Sequence, residues 1–156
     1  MVQLCNPTAL CIQEMWGRNP TTDYSIRGHH KPEIKTREGN MNSGGGVGIW
    51  VREDTDFELI ISPFVKKTIE TLTILLPDLE KIIVNVYRPF KDRDTFMEKL
   101  TAHVSELRNK YPKHDIICLG DFNIDLMKQN NQSECLIEEM ISLGFIQQVT
   151  LSLIHI

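Results

Sequence analysis

Asp115-Ile116-Ile117-Cys118-Leu119-Gly120-Asp121-Phe122-Asn123-Ile124-Asp125 is the stretch around which the chain is organised. Its four consecutive apolar residues, Ile116 to Leu119, lie between Lys113-His114 and Gly120 and predict a buried strand. Past Gly120 the pattern changes: Asp121, Asn123 and Asp125 alternate with Phe122, Ile124 and Leu126. On an extended backbone that period of two puts the polar side chains on one side and the apolar ones on the other. The core then grips Phe122, while a carboxylate and a carboxamide stand at a strand end, where open sheets place ligand sites. Such a pair can orient a hard cation, a water or a phosphate oxygen. The same letters, Gly-Asp and Asn-Ile-Asp, are also ordinary turn chemistry.

Working outward, residues 92–111 predict a helix. Phe96, Leu100, Val104, Leu107 and Tyr111 recur at helical spacing, Asp92 or Asp94 is available as N-cap, and Pro112 stops the run. Its length suits a crossover between the Lys81–Tyr87 strand and the Cys118 strand, which makes those two parallel. Ile69–Leu76 and Lys81–Tyr87 are rich in Ile, Val, Leu and Thr, and Pro77-Asp78 between them predicts a hairpin. Further strands are predicted at Thr8–Gln13, Phe57–Ser62 and Phe145–Val149, and a second helix at Ser133–Leu143 with Gly144 as its C-cap. Residues 15–43 read as a long loop, including the solvated pair His29-His30. Gly44-Gly45-Gly46-Val47-Gly48-Ile49-Trp50-Val51 is a glycine run feeding a strand. No Gly-Lys-Ser/Thr follows it, so it is not a phosphate-binding P-loop; its glycines allow a bulge or a close backbone approach.

Polar groups thus end three strands: Glu14, Tyr87, and Asp121 with Asn123. Each has a plain structural reading as a rim residue or turn former.

The 156 residues, 41% hydrophobic and 24% charged, suit one soluble domain with a real core. The chain has neither an apolar run of membrane-spanning length nor a secretory start. Cys5, Cys11, Cys118 and Cys135 show no Cys-x-x-Cys spacing, which speaks against a zinc site or disulfide framework and for a reducing, intracellular (nuclear or cytoplasmic) setting. The net charge of −4 argues against a generic basic nucleic-acid binder. Its distribution is uneven. Arg18 to Arg37 holds five Lys/Arg against two acids, and from His114 onward one Lys faces six acids. A basic flank beside an acidic site suits a cation-dependent phosphodiesterase; an ordinary mixed surface would look the same.

Four pieces together carry a family resemblance: Cys-Ile-Gln-Glu (11–14), Gly-Gly-Gly-Val-Gly-Ile-Trp-Val (44–51), Asn-Val-Tyr-Arg-Pro (85–89) and Gly-Asp-Phe-Asn-Ile-Asp (120–125). In order and spacing they resemble the endonuclease/exonuclease/phosphatase family, and within it the endonuclease domain of non-LTR retrotransposons. The resemblance implies a four-layer α/β sandwich of two mixed sheets flanked by helices. It implies Mg²⁺- (or Mn²⁺-) dependent cleavage of a phosphodiester: nicking of DNA for target-primed reverse transcription, by a monomeric domain fused to a reverse transcriptase and independent of membranes. By residue, Glu14 matches the family's metal-binding glutamate and Tyr87 a tyrosine on the scissile phosphate. Asp121 matches the aspartate that orients or deprotonates the attacking water, and Asn123 the asparagine that binds the phosphate and the developing charge.

The departures bear on activity. In the family, a first strand ends in an asparagine that supports the metal glutamate; Asn6 is not in that context. The family closes with Ser-Asp-His, whereas His155 has no preceding Ser-Asp and takes no role. Leu151-Ser-Leu-Ile-His-Ile156 resembles one frame of a sequencing adaptor, where related chains continue Pro-Thr-Arg. The expectation is a partial domain over 1–150, impaired in activity, followed by a non-native tail over 151–156. The alternatives are a non-catalytic fragment, or a family member acting as a phosphatase or lipid phosphodiesterase.

Overall fold

The structure, a computed structural model, describes residues 5–15, 23–37, 44–89, 94–126, 128 and 131–148. The chain forms two compact units, Met1–Phe122 and Asn123–Ile156.

The first unit is built on two sheets. The smaller is antiparallel, with β3 (Val47–Val51) between β1 (Ala9–Gln13) and β2 (Glu33–Lys35). The larger runs β4 (Glu58–Ile60), β6 (Ile69–Leu76), β7 (Lys81–Tyr87), β8 (Asp115–Asp121), and the two-residue β5 (Phe64–Val65) also pairs with β6. It is mixed: β6 and β7 form the predicted hairpin through a 3-10 turn at Pro77–Leu79, and β7 and β8 are parallel across the crossover helix α1 (Asp94–Lys110). These are the two sheets and helices of the expected α/β class.

Alternation explains the packing. Val47, Ile49 and Val51 of β3 meet Leu72, Ile74, Leu76, Ile83 and Tyr87 in the inter-sheet core. The opposite faces of β6 and β7 carry Thr71, Thr73, Ile82, Val84 and Val86, buried as well. There α1 packs on β6 with Phe96, Leu100, Val104 and Leu107 inward, and His103 Nε2 lies 2.9 Å from Thr73 Oγ1. Covered on both faces, β6 and β7 are buried at nearly every position.

Several expectations need correction. The Ile116–Leu119 strand forms, but as an edge: among the described residues β8 pairs only with β7, and Ile117 is 41% exposed. The alternation does not continue past Asp121, because Asn123 takes a left-handed φ of 49°. The loop over 15–43 contains β2, which extends β3 on its free side. His29 is buried rather than solvated; it bridges to Arg52, and its Nε2 lies 3.3 Å from Pro7 O. Phe57–Ser62 shortens to Glu58–Ile60.

In the second unit α2 spans Asn131–Ser142. Gly144, at φ 72°, closes it by donating to Ile141 O at 2.7 Å, and the Phe145 amide donates to Met140 O at 2.9 Å. That cap takes up the start of the predicted Phe145–Val149 strand; residues 145–148 are not a strand, and Ile146 is 80% exposed. Val149, Asp92 and the tail 151–156 lie outside the described residues.

Candidate active site

A buried amide brings the two sheets together at one end. Asn85, fully buried on β7, donates through Nδ2 to Ile12 O (3.1 Å) and Gly48 O (3.0 Å). Its Oδ1 accepts from Gln13 Nε2 at 2.5 Å. Every hydrogen-bonding group of this side chain is engaged, so β1 and β3 are pinned onto β7 just below the strand ends.

Above that pin the chain turns. Glu14 leaves β1 at φ 57°, an unfavourable backbone for a glutamate, and is one of five non-glycine residues at positive φ among those described. Asn123 is another, so two of the five are residues singled out from sequence. Glu14 Oε1 accepts the hydroxyl hydrogen of Tyr87, and Oε2 accepts the Gly45 N–H at 2.8 Å. The glycine run makes the close backbone approach expected of it: Gly45 and Gly46 sit at φ 100° and 93°, and their amides reach carboxylates directly.

Sheet register supplies the rest. Glu70 of β6 is opposite Tyr87 of β7, and Tyr87 is opposite Asp121 of β8. Residues in register share a face, here the inter-sheet face on which Tyr87 lies. Asp121 is exposed and Glu14 half-buried, so solvent reaches both carboxylates, while Tyr87 is 5% exposed. Burial, the hydrogen bond to Glu14 and that carboxylate's charge push the Tyr87 phenol up to about 12, against the lowering effect of Arg37 and with a further push from Asp121. At neutral pH Tyr87 is a hydrogen-bond donor. The Asp121 backbone is fixed as well, since its carbonyl accepts the Arg88 N–H at 2.8 Å. Phe122, half-buried, packs edge-on against Phe96 with ring centres 6.2 Å apart.

Glu14, Tyr87 and Asp121 therefore come from three strand ends to one rim. Asn123 is the first residue of the second unit. Sequence reading gave no individual role to Glu70, Arg37 or Asn85. The available signal was a single acid in the strand Ile69-Glu70-Thr71-Leu72-Thr73-Ile74-Leu75-Leu76, where burial demands a partner.

Among the described residues no three His, Cys, Asp or Glu side chains form a metal cluster. The donor set still fits a hard divalent cation, because Mg²⁺ is commonly held by one or two carboxylates together with waters and phosphate oxygens. Among the described residues each Glu14 oxygen accepts one hydrogen bond, and a carboxylate oxygen can accept more.

Two sheets with helices and a rim bearing carboxylates and a tyrosine define an α/β fold of the nuclease and phosphodiesterase type. The chain belongs to the endonuclease/exonuclease/phosphatase family, whose sequence model matches residues 1–139. Solved structures share the fold. The endonuclease domain of TRAS1, a telomere-specific non-LTR retrotransposon, is 18% identical with a TM-score of 0.54, over 92% of this chain and 61% of that one. TDP2 from D. rerio, complexed with single-strand DNA product, is 13% identical with a TM-score of 0.58, over 94% and 56%. The human Nocturnin catalytic domain, with a bound sulfate anion, is 18% identical with a TM-score of 0.52, over 82% and 55%. The chain thus spans between 55% and 61% of these three structures. No curated protein matches it by sequence.

Proposed function

We propose that this rim is the active site of a divalent-metal-dependent phosphodiesterase, and that its substrate is DNA, nicked as by the endonuclease domain of a retrotransposon. The observation that carries the reading is the Tyr87–Glu14 hydrogen bond between two sheets, with Asp121 in register beside Tyr87.

Glu14 holds the cation, Mg²⁺ or Mn²⁺; when bound, the cation neutralises charge on the phosphate. Tyr87 stays protonated and donates a hydrogen bond to a phosphate oxygen. Asp121, open to solvent, accepts a proton from the attacking water. Asn123 is assigned from the family pattern: its amide donates to the phosphate as negative charge grows. No covalent intermediate is needed, since positioned donors and an acceptor suffice for in-line attack by water.

DNA as substrate is supported by the motif spacing, by the basic residues of 18–37 other than Arg37, which is paired with Glu70, and by the likeness to TRAS1 and to the DNA-bound TDP2. On this reading the domain acts as a monomer inside the cell, joined to a reverse transcriptase. Plasmid nicking by the full chain tests it. Relaxation of supercoiled DNA should require Mg²⁺ or Mn²⁺ and fall by about 10²–10⁴-fold in Asp121→Ala, the range for loss of a proton-transfer group. Metal-dependent nicking that survives in both Asp121→Ala and Glu14→Ala defeats the assignment.

A further inference from the structure

Glu70 is the only charged residue in β6 and is completely buried. One oxygen pairs with Arg37 Nε, and the other accepts the Gly46 N–H at 2.6 Å. Arg37 is itself nearly buried, with a side-chain exposure of 12%. Its guanidinium lies against the Gly45 backbone: a Cβ placed on Gly45 would be 2.6 Å from Arg37 Cζ. The two consecutive glycine amides thus diverge to two carboxylates, Gly45 to Glu14 at the rim and Gly46 to Glu70 beneath it.

A buried ion pair is a poor source of stability, because desolvation of both partners offsets their attraction. Its location suggests a different use. Glu70 is fixed in the sheet floor, in register with Tyr87. Arg37 and Gly46 tie the glycine turn to that floor, and Gly45 holds one oxygen of Glu14, whose backbone is in a conformation that persists only when held.

We infer that the Glu70–Arg37 ion pair positions Glu14 for the cation, acting through the Gly45-Gly46 backbone without touching the cation. Glu70 and Arg37 are positioning residues, and the inference rests on the reading of Glu14 as the cation's ligand. It predicts that Glu70 affects cation affinity only while Glu14 is present.

Mn²⁺ binding to the full chain, followed by the electron paramagnetic resonance of the free ion, tests this without any turnover. Glu14→Ala should weaken binding more than tenfold. Glu70→Gln, checked as folded by circular dichroism, should weaken it by about 10–100-fold, the usual effect of losing a group that orients a ligand. In the Glu14→Ala background the same Glu70→Gln change should have no further effect. Should Glu70→Gln fail to fold, the double variant Arg37→Met/Glu70→Leu replaces the buried pair by apolar groups of similar size, a change proteins commonly tolerate. It should show the same loss of Mn²⁺ affinity. A folded variant of either kind that binds Mn²⁺ like the original chain overturns the inference, as does a Glu70→Gln effect of equal size with and without Glu14. If Glu14→Ala itself leaves Mn²⁺ binding unchanged, or the original chain binds none, the metal reading of Glu14 fails and the inference with it. Loss in Glu14→Ala without loss in the Glu70 variants removes the inference alone.

Discussion

Strands β7 and β8 lie side by side, run parallel and both open with a charged residue followed by Ile-Ile: Lys81-Ile-Ile-Val-Asn-Val-Tyr87 and Asp115-Ile-Ile-Cys-Leu-Gly-Asp121. Their fates differ. Six of the seven residues of β7 are buried, and none of the seven in β8 is. The cause is place in the sheet: among the described residues β7 has β6 and β8 as neighbours and β8 has β7 alone. An apolar run specifies a strand, but its burial is set by what the rest of the chain lays beside it. The rim draws on both conditions. The buried strand supplies a fixed tyrosine, and the edge strand supplies an exposed aspartate, Asp121.

A glycine between the two strands gives the largest expected effect. Gly120 sits at φ 143°, and a Cβ there would fall 1.8 Å from Val86 O, a backbone atom that cannot move aside alone. Gly120→Ala should therefore cost about 4 kcal/mol or more, in the range reserved for specific steric failures, or prevent folding. Urea denaturation measures it, and an unchanged midpoint would show that β8 does not press on β7 this closely. A matched pair of truncations sharpens the contrast. Ile82→Ala, at a position with no exposure, should cost about 2–5 kcal/mol. Ile117→Ala, at 41% exposure, should cost about 1 kcal/mol or less, since the area lost to water is small. Equal losses would mean that β8 is covered in solution.

The same contrast explains what could be read in advance. The bounds of β6 and β7, the face of α1 and the parallel crossover were legible, because long apolar runs and helical spacing report burial that the chain supplies locally. β2 was not, since Glu33-Ile34-Lys35 holds one apolar residue and is a strand only because β3 offers it an open edge. Phe145–Val149 looked like a strand by composition, yet its first amide is taken by the cap of α2. For the candidate site, Glu14, Tyr87 and Asp121, proposed from sequence as polar residues ending apolar runs, lie at one rim. Glu70 and Asn85 were not read as part of it, because each is one polar letter inside a strand whose partners, Arg37 and Gly46 or Ile12 and Gly48, are distant in sequence. No local pattern connects such pairs.

Tyr87 on the buried strand gives a smaller, pH-dependent effect. Its phenol is raised from 10.0 to about 12 in the folded chain, chiefly by burial and then by Glu14. A raised value means that the folded state holds the proton more tightly than the unfolded one. The resulting stabilisation is complete below pH 10 and is lost as pH rises from there through about 12. Tyr87→Phe removes this group, so its stability should fall less steeply across that interval than that of the unaltered chain. Parallel slopes in denaturation midpoints between pH 9.5 and 11.5 would show that Glu14 and burial do not hold the phenol's proton.

At the other end of the same two strands the pairing is ionic and exposed, and there the expected effect is smallest. Lys81 Nζ and Asp115 Oδ2 are 2.7 Å apart in register, with side-chain exposures of 40% and 78%. Lys81 holds the Asp115 carboxyl below its ordinary value of 3.8, first by its hydrogen bond and then by its charge. A depressed value contributes stability that is present above 3.8 and disappears as pH falls through the folded value. In water both ions are well solvated apart, and ordering two exposed side chains offsets most of their attraction. Lys81→Met should therefore shift the denaturation midpoint at pH 7 by little more than measurement error, and 0.5 M NaCl should erase what remains. A large, salt-resistant loss would mean that this end of the β7–β8 ladder is as shielded as the Tyr87 end, and the contrast between a closed strand and an open one would then fail where it should be easiest to see.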